Sequence, residues 1–141
     1  MPLLGYNPAL AAGRLTMNKT YEIISVEDDD DLFALLQLVL KEEPVRLRRA
    51  HDGGEALQLL SEAKPDLLLL DISLPDMRGW EVLDKAAAEN RLAGVPIVVL
   101  TSHSEPPHRL IGKIQDVAAY INKPVRPPDF RDKIRQILGL D

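Results

Sequence analysis

Short apolar runs that break off at a charged or hydroxyl residue constrain this chain more than any other feature. Residues 67–70 are four leucines in succession, ending at Asp71. Residues 95–100 form a second such run, ending at Thr101, and Ile23, Ile24 and Val26 form another, stopped by five acids from Glu27 to Asp31. A run that is apolar at every position, with no in-out alternation, reads as a strand covered on both faces, the situation of a parallel sheet.

The intervals between these runs carry the helical period. Leu32, Leu35, Leu36, Val39 and Leu40 fall at i, i+3, i+4, i+7 and i+8, and Pro44 stops them. A second strand is expected over Val45–Ala50, and after it Asp52 is placed to cap a helix that carries Ala56, Leu57, Leu60 and Ala63 and ends at Lys64-Pro65. Loop chemistry over residues 74–79 precedes a third helix with Val82, Leu83, Ala86 and Ala87. A fourth helix is expected around Leu110, Ile111 and Ile114, a fifth strand over residues 117–121, and a fifth helix on Phe130, Ile134, Ile137 and Leu138. Five strands alternating with five helices predict an α/β fold: one doubly wound, five-stranded parallel sheet with helices on both faces.

At 141 residues the chain has the length of one domain. Residues 1–19, punctuated by Pro2, Gly5, Pro8 and Gly13, read as a loosely held tail ahead of a domain over residues 20–141. With 45% hydrophobic and 28% charged residues the composition is that of a soluble globular protein. The net charge of −5 argues against a general electrostatic grip on DNA or anionic lipid. The first 19 residues hold Arg14 and Lys19 and no acid, so the body is more acidic still. No cysteine is present, which excludes disulfides, thiolate zinc sites and Cys nucleophiles. No stretch approaches the roughly 20 apolar residues that span a bilayer, and no secretory leader is recognisable at the N-terminus; a cytoplasmic protein with no membrane insertion is the expectation.

In a parallel α/β sheet all strands end at one edge, where ligands bind. That edge collects Glu27 and Asp28, Asp71, Thr101 and Lys123. Clustered carboxylates repel unless a cation joins them or their pKa values rise, and oxygen ligands without Cys or His favour Mg²⁺ over zinc. Carboxylates, a hydroxyl and an ammonium suit phosphoryl transfer, in which one carboxylate can be the nucleophile. Asp71, at the end of the wholly apolar central strand, is the best candidate.

Four segments together are specific: Val26-Glu27-Asp28-Asp29, residues 70–79 (Leu-Asp-Ile-Ser-Leu-Pro-Asp-Met-Arg-Gly), Val99-Leu100-Thr101-Ser102 and Tyr120-Ile121-Asn122-Lys123-Pro124. In this order and spacing they closely resemble response-regulator receiver domains of two-component signalling, over roughly residues 20–140. The resemblance implies the flavodoxin-like receiver fold, with Asp71 accepting phosphate from a histidine kinase or histidine phosphotransfer protein. It implies Mg²⁺ held by Glu27, Asp28, Asp71 and the backbone carbonyl of Ser73. It further implies that Lys123 contacts the phosphoryl group, through a Lys123–Pro124 bond that is often cis in the family, and that Thr101 and Tyr120 form a switch pair. Switching would repack the face of the fourth helix, fifth strand and fifth helix, the usual partner surface. Ser102 stands where Ala or Gly is usual, adding a hydroxyl beside the phosphoryl site, and Asp116 stands where Gly is usual. Ser73 and His103 fall at positions that tune phosphate lifetime in the family.

The expected protein is thus a signalling phosphoacceptor rather than an enzyme, with a downstream protein or a second copy of itself as its output and no direct nucleic-acid contact. Little follows Leu138 to house an output domain; a fragment of a longer regulator would carry one beyond it. Two rivals stand beside this reading. A haloacid-dehalogenase-type phosphatase also uses Asp, Mg²⁺, Thr or Ser and Lys, but looks for a second Asp two positions after the nucleophile, where this chain has Ser73, and its acidic pair follows the nucleophile. The other rival keeps the fold and works by binding alone, without phosphorylation. Asp29, Asp30 and Asp31 read as solvated charge at a helix start, His51, His103 and His108 as surface residues, and Trp80 as packing at the start of the third helix. Gly53-Gly54 lacks the dinucleotide fingerprint.

Overall fold

The computed structural model describes residues 19–102 and 117–140. Most of the N-terminal tail, the expected fourth helix around Leu110, and His103, His108 and Asp116 lie outside the described residues. Within them the elements run β1 (Tyr21–Val26), α1 (Asp30–Val39), β2 (Val45–Ala50), α2 (Gly53–Glu62), β3 (Leu67–Asp71), α3 (Gly79–Ala88), β4 (Ile97–Thr101), β5 (Ala119–Asn122) and α4 (Pro127–Leu138), the last being the fifth helix expected from the sequence. All strand pairs are parallel, in the order β2-β1-β3-β4-β5.

The unbroken apolar runs divide their side chains between two cores. Leu68 and Leu70 face one side with Ile24, Val26 and Val99, and α2 and α3 cover them through Ala56, Leu60, Val82 and Leu83. Leu67 and Leu69 face the other side with Ile23, Val98 and Leu100, beneath α1 and α4 through Leu36, Leu40, Phe130 and Ile134. Every residue of β3 and β4 is buried: the apolar positions alternate between the two cores, and Asp71 and Thr101 end the strands at the sheet edge. Trp80 is buried at the start of α3, as its position suggested.

Side chains fix the starts of α1 and α2. Asp29 caps α1, accepting from the amides of Asp31 and Leu32 at 2.9 and 3.1 Å. Asp52 caps α2 through the Glu55 amide at 2.8 Å. Asp76, from the loop after β3, adds a second anchor there, accepting from the amides of Gly53 and Gly54 at 2.8 and 3.0 Å. These bonds lower the Asp76 pKa, the bond from Gly53 most. β5 begins at Ala119 rather than at residue 117: the register with β4 opens at Val98 opposite Ala119, while Val117 packs against the α2/α3 core without joining the ladder.

Gly79 is where α3 meets the end of β3. Its amide donates to the Ile72 carbonyl at 2.9 Å, and a Cβ there would come within 2.9 Å of the Asp71 carbonyl oxygen and 3.0 Å of the Ile72 Cα. Those neighbours are backbone and cannot rotate away. Gly79→Ala is therefore expected to cost about 1–3 kcal/mol, the usual penalty of overpacking, read as a lowered urea midpoint; an unchanged midpoint would show that α3 can shift without loss.

Candidate functional site

The strand order places a switch point between β1 and β3. From β1 the chain turns outward to β2, then crosses back to the other side of β1, so the connections leave the sheet edge in opposite directions and open a crevice at the carboxyl ends. Val26 is in register with Leu70 and Asp71 with Leu100, so Glu27 comes level with Asp71 and Thr101 stands one residue further along the adjacent strand. One ligand oxygen each from Glu27, Asp28 and Asp71 lies within 4.8 Å of the others.

The burial of these groups differs sharply. Glu27 is 0% exposed and Asp71 3% exposed, while Asp28 is exposed. Glu27 Oε2 accepts from the Asp29 amide at 3.1 Å, but Glu27 Oε1 is buried with no hydrogen-bond partner. Burial, reinforced by the field of the neighbouring Asp71 carboxylate, pushes the Glu27 pKa up to about 8. Both oxygens of Asp71 are engaged: Oδ1 accepts from the Ser73 amide at 2.9 Å and Oδ2 from Lys123 Nζ at 2.9 Å.

Lys123 reaches Asp71 because the strand pairing continues past β5, the Lys123 amide donating to the Thr101 carbonyl at 2.8 Å. The Lys123–Pro124 bond is cis. Burial works against the lysine's charge, yet its hydrogen bond to Asp71 and the fields of Glu27, Asp71 and Asp28 outweigh that and hold its pKa above the ordinary value. Thr101 is wholly buried and its hydroxyl donates to the Ser102 carbonyl at 3.0 Å. Ser102 is half-buried beside it, and Tyr120 is exposed on the edge strand β5.

The structure thus brings Glu27, Asp28, Asp71, Ser73 and Lys123 together, with Thr101 at the end of the neighbouring strand and Tyr120 out on the edge. Two residues that position this site were not singled out from the sequence. Asp76 ties the loop after β3 to α2, and Arg49 of β2 bonds the Glu27 carbonyl at 2.8 Å and Asp30 at 2.7 Å.

A buried aspartate at the switch point of a parallel sheet, flanked by two more acids and a lysine, defines the class of aspartate-centred acidic pockets carried on flavodoxin-like sheets. The response regulator receiver domain family matches residues 23–135. The chain belongs to that family and is a receiver domain of two-component signalling. It is 34% identical over 113 residues to the DNA-binding response regulator MtrA of Mycolicibacterium smegmatis, covering 80% of this chain and 48% of the relative. It is 32% identical over 116 residues to the transcriptional regulatory protein AfsQ1 of Streptomyces coelicolor, covering 82% and 50%. The chain therefore spans about half the length of these curated relatives. Among solved structures, the CheY-like response regulator receiver domain protein of Methanospirillum hungatei aligns with a TM-score of 0.78 at 30% identity, over 86% of this chain and 96% of that one. No helix among the described residues is long and apolar enough to cross a membrane.

Proposed function

We propose that Asp71 is the phosphoacceptor, taking a phosphoryl group from a histidine kinase or histidine phosphotransfer protein in a reaction that requires Mg²⁺. The observation that carries this is the state of the carboxylate cluster. Three acids converge, one is forced towards its protonated form by burial, and Glu27 Oε1 is buried with nothing to bond. An orphaned oxygen in a cluster of hard oxygen donors fits Mg²⁺. Glu27, Asp28 and Asp71 would hold the ion with the Ser73 carbonyl, and the ion supplies charge neutralisation on the phosphoryl oxygens.

The chain's own groups do the rest. An Asp71 oxygen attacks phosphorus, the new O–P bond forms as the bond to the donor's imidazole nitrogen breaks, and the leaving imidazole takes up a proton. Asp71 thereby loses its carboxylate charge while two negative charges arrive on the phosphoryl group. Lys123, which bonds Asp71 Oδ2, is placed to follow that charge onto a phosphoryl oxygen. Thr101, whose hydroxyl donates to the Ser102 carbonyl, is placed to turn and donate to another. Ser102 adds a hydroxyl at the rim.

Movement of Thr101 would vacate space towards β5 and draw Tyr120 inward, altering the surface that leads into α4. A cavity of about 430 Å³ lined in part by Tyr120, Lys123, Arg126, Phe130 and Lys133 opens on that side. We assign the readout to this face, with a downstream protein or a second copy of the chain as partner. DNA binding is named for the mycobacterial relatives as whole proteins; the net charge of −5 gives this segment no general attraction for DNA.

The test is intact mass after incubation with Mg²⁺ and a small acyl-phosphate donor. A single phosphoryl adduct, lost at alkaline pH, is the expected result. Lys123→Ala is expected to keep the fold, because the lysine is partly exposed at the rim, yet to lose the phosphorylation-dependent change in Tyr120 fluorescence or partner binding; a full response in that variant would remove Lys123 from the mechanism.

A further inference from the structure

β2 is an edge strand, and two of its arginines behave differently. Arg46 is exposed and pairs loosely with Glu22, as edge charges do. Arg49 lies on the other face of the strand, the one on which Leu47 packs into the α1/α4 core, and only 14% of its side chain is exposed. There the guanidinium lies 5.0 Å from the centre of the Phe33 ring on α1. Its Nε donates to the Glu27 carbonyl oxygen at 2.8 Å, its Nη1 pairs with Asp30 at 2.7 Å, and its Nη2 is buried with no partner. An arginine held this far from water, with one nitrogen unsatisfied, is costly for a purely structural strand position.

What it grips explains the placement. Glu27 and Asp30 bracket Asp28 and Asp29, the turn between β1 and α1. The Glu27 amide is already tied to the Ala50 carbonyl at 2.9 Å. With Arg49 on the Glu27 carbonyl as well, β2 holds the peptides on either side of the Glu27 Cα, the second of which leads into Asp28, while the same guanidinium pairs with the exposed Asp30 carboxylate at the far side of the turn. Asp28 is exposed, so the course of its backbone sets where its carboxylate lies. We propose that Arg49 is a positioning residue for metal binding, a clamp that sets the backbone between Glu27 and Asp30 so that the Asp28 carboxylate stays within reach of Glu27 and Asp71. The inference rests on the Mg²⁺ reading above and adds to it a residue that touches no ligand itself.

A clamp and a charge predict opposite signs. If Arg49 acted on the cluster merely as a nearby cation, removing it would make the cluster more negative and Mg²⁺ would bind more tightly. If it acts as a clamp, Mg²⁺ binds more weakly, since groups that orient metal ligands from behind are commonly worth 10- to 100-fold in affinity. The experiment is calorimetric titration of the whole chain with Mg²⁺ alone, for wild type, Arg49→Met, Arg49→Lys and Asp30→Asn, beside amide hydrogen exchange over residues 28–31 without metal. Arg49→Met keeps an unbranched stem against Phe33 and is expected to weaken Mg²⁺ about tenfold and to speed exchange in the turn. Arg49→Lys keeps the charge but not the two-point grip and should weaken it similarly; Asp30→Asn, which breaks one grip, should weaken it less.

Should Arg49→Met fail to fold, the lysine and Asp30 variants decide alone. Variants that melt earlier but bind Mg²⁺ like wild type would reduce Arg49 to packing, and tighter binding by Arg49→Met would make it a repelling charge; either overturns the clamp while leaving the metal site intact. A wild type that binds no Mg²⁺ would overturn the metal reading, and the clamp with it.

Discussion

Asp71→Asn is expected to abolish phosphoryl uptake outright rather than to slow it. The amide has nearly the carboxylate's volume and can still accept from the Ser73 amide, so the end of β3 should remain in place. It offers no anionic oxygen, however, and its NH₂ group faces Lys123 Nζ, donor against donor, where Oδ2 now accepts at 2.9 Å. Two opposing effects bear on stability. The ion pair with Lys123 is lost, but the lysine is exposed enough to be rehydrated, which keeps that loss modest, and the field with which Asp71 opposes ionisation of Glu27 disappears. The metal-free variant should therefore melt close to the wild-type temperature, and the absence of an adduct in it cannot be blamed on unfolding. An adduct that persists in Asp71→Asn would move the acceptor elsewhere. A wild type that takes no phosphate from acyl phosphate or from histidine kinases would leave a receiver fold that works by binding alone.

What could be read from sequence, and what could not, divides along the range of the interaction. β3 and β4 announce themselves because burial on both faces leaves only apolar residues ahead of their final Asp71 and Thr101, a local signal. The residues that end those strands were equally legible, since the sheet topology brings them to one edge whatever lies between. The acids after β1 were read less completely. Asp29, Asp30 and Asp31 do lie exposed at a helix start, yet Asp29 is the cap of α1 and Asp30 the partner of a buried arginine, while their neighbour Glu27 is wholly enclosed. Five consecutive acids look alike in sequence, and only the pitch of the chain as it leaves β1 sorts them. Arg49 and Asp76 were missed for a related reason: each acts across more than 20 residues, on a carbonyl or an amide whose identity leaves no mark in the sequence. Leu38, 67% exposed on α1, carries the opposite lesson, for an apolar residue next to the buried stripe need not join it.

Mg²⁺ is expected to raise the melting temperature, and to raise it more at high pH than at low. Glu27 sets the sign. Its carboxyl, ordinarily near 4.5, titrates at about 8 in the metal-free fold, chiefly because it is buried and secondarily because Asp71 is close. A pKa raised on folding means that the native state holds the proton more tightly than the unfolded chain. The stabilisation is complete below about 4.5 and is lost as pH rises through about 8. From this group the metal-free protein should therefore melt progressively lower across that window. The ion requires the deprotonated carboxylate, so its affinity climbs over the same range and offsets the loss. At about 100 times its dissociation constant, a ligand that binds only the native state adds about 2.7 kcal/mol, roughly 10 °C for a chain of this length. Thermal melts with and without millimolar Mg²⁺ at about pH 6 and about pH 9 should show the larger gain at the higher pH, and Glu27→Gln should flatten both the metal-free slope and the Mg²⁺ response. Equal gains at the two pH values would mean that Glu27 is already ionised without metal and that Asp28 and Asp71 alone govern binding.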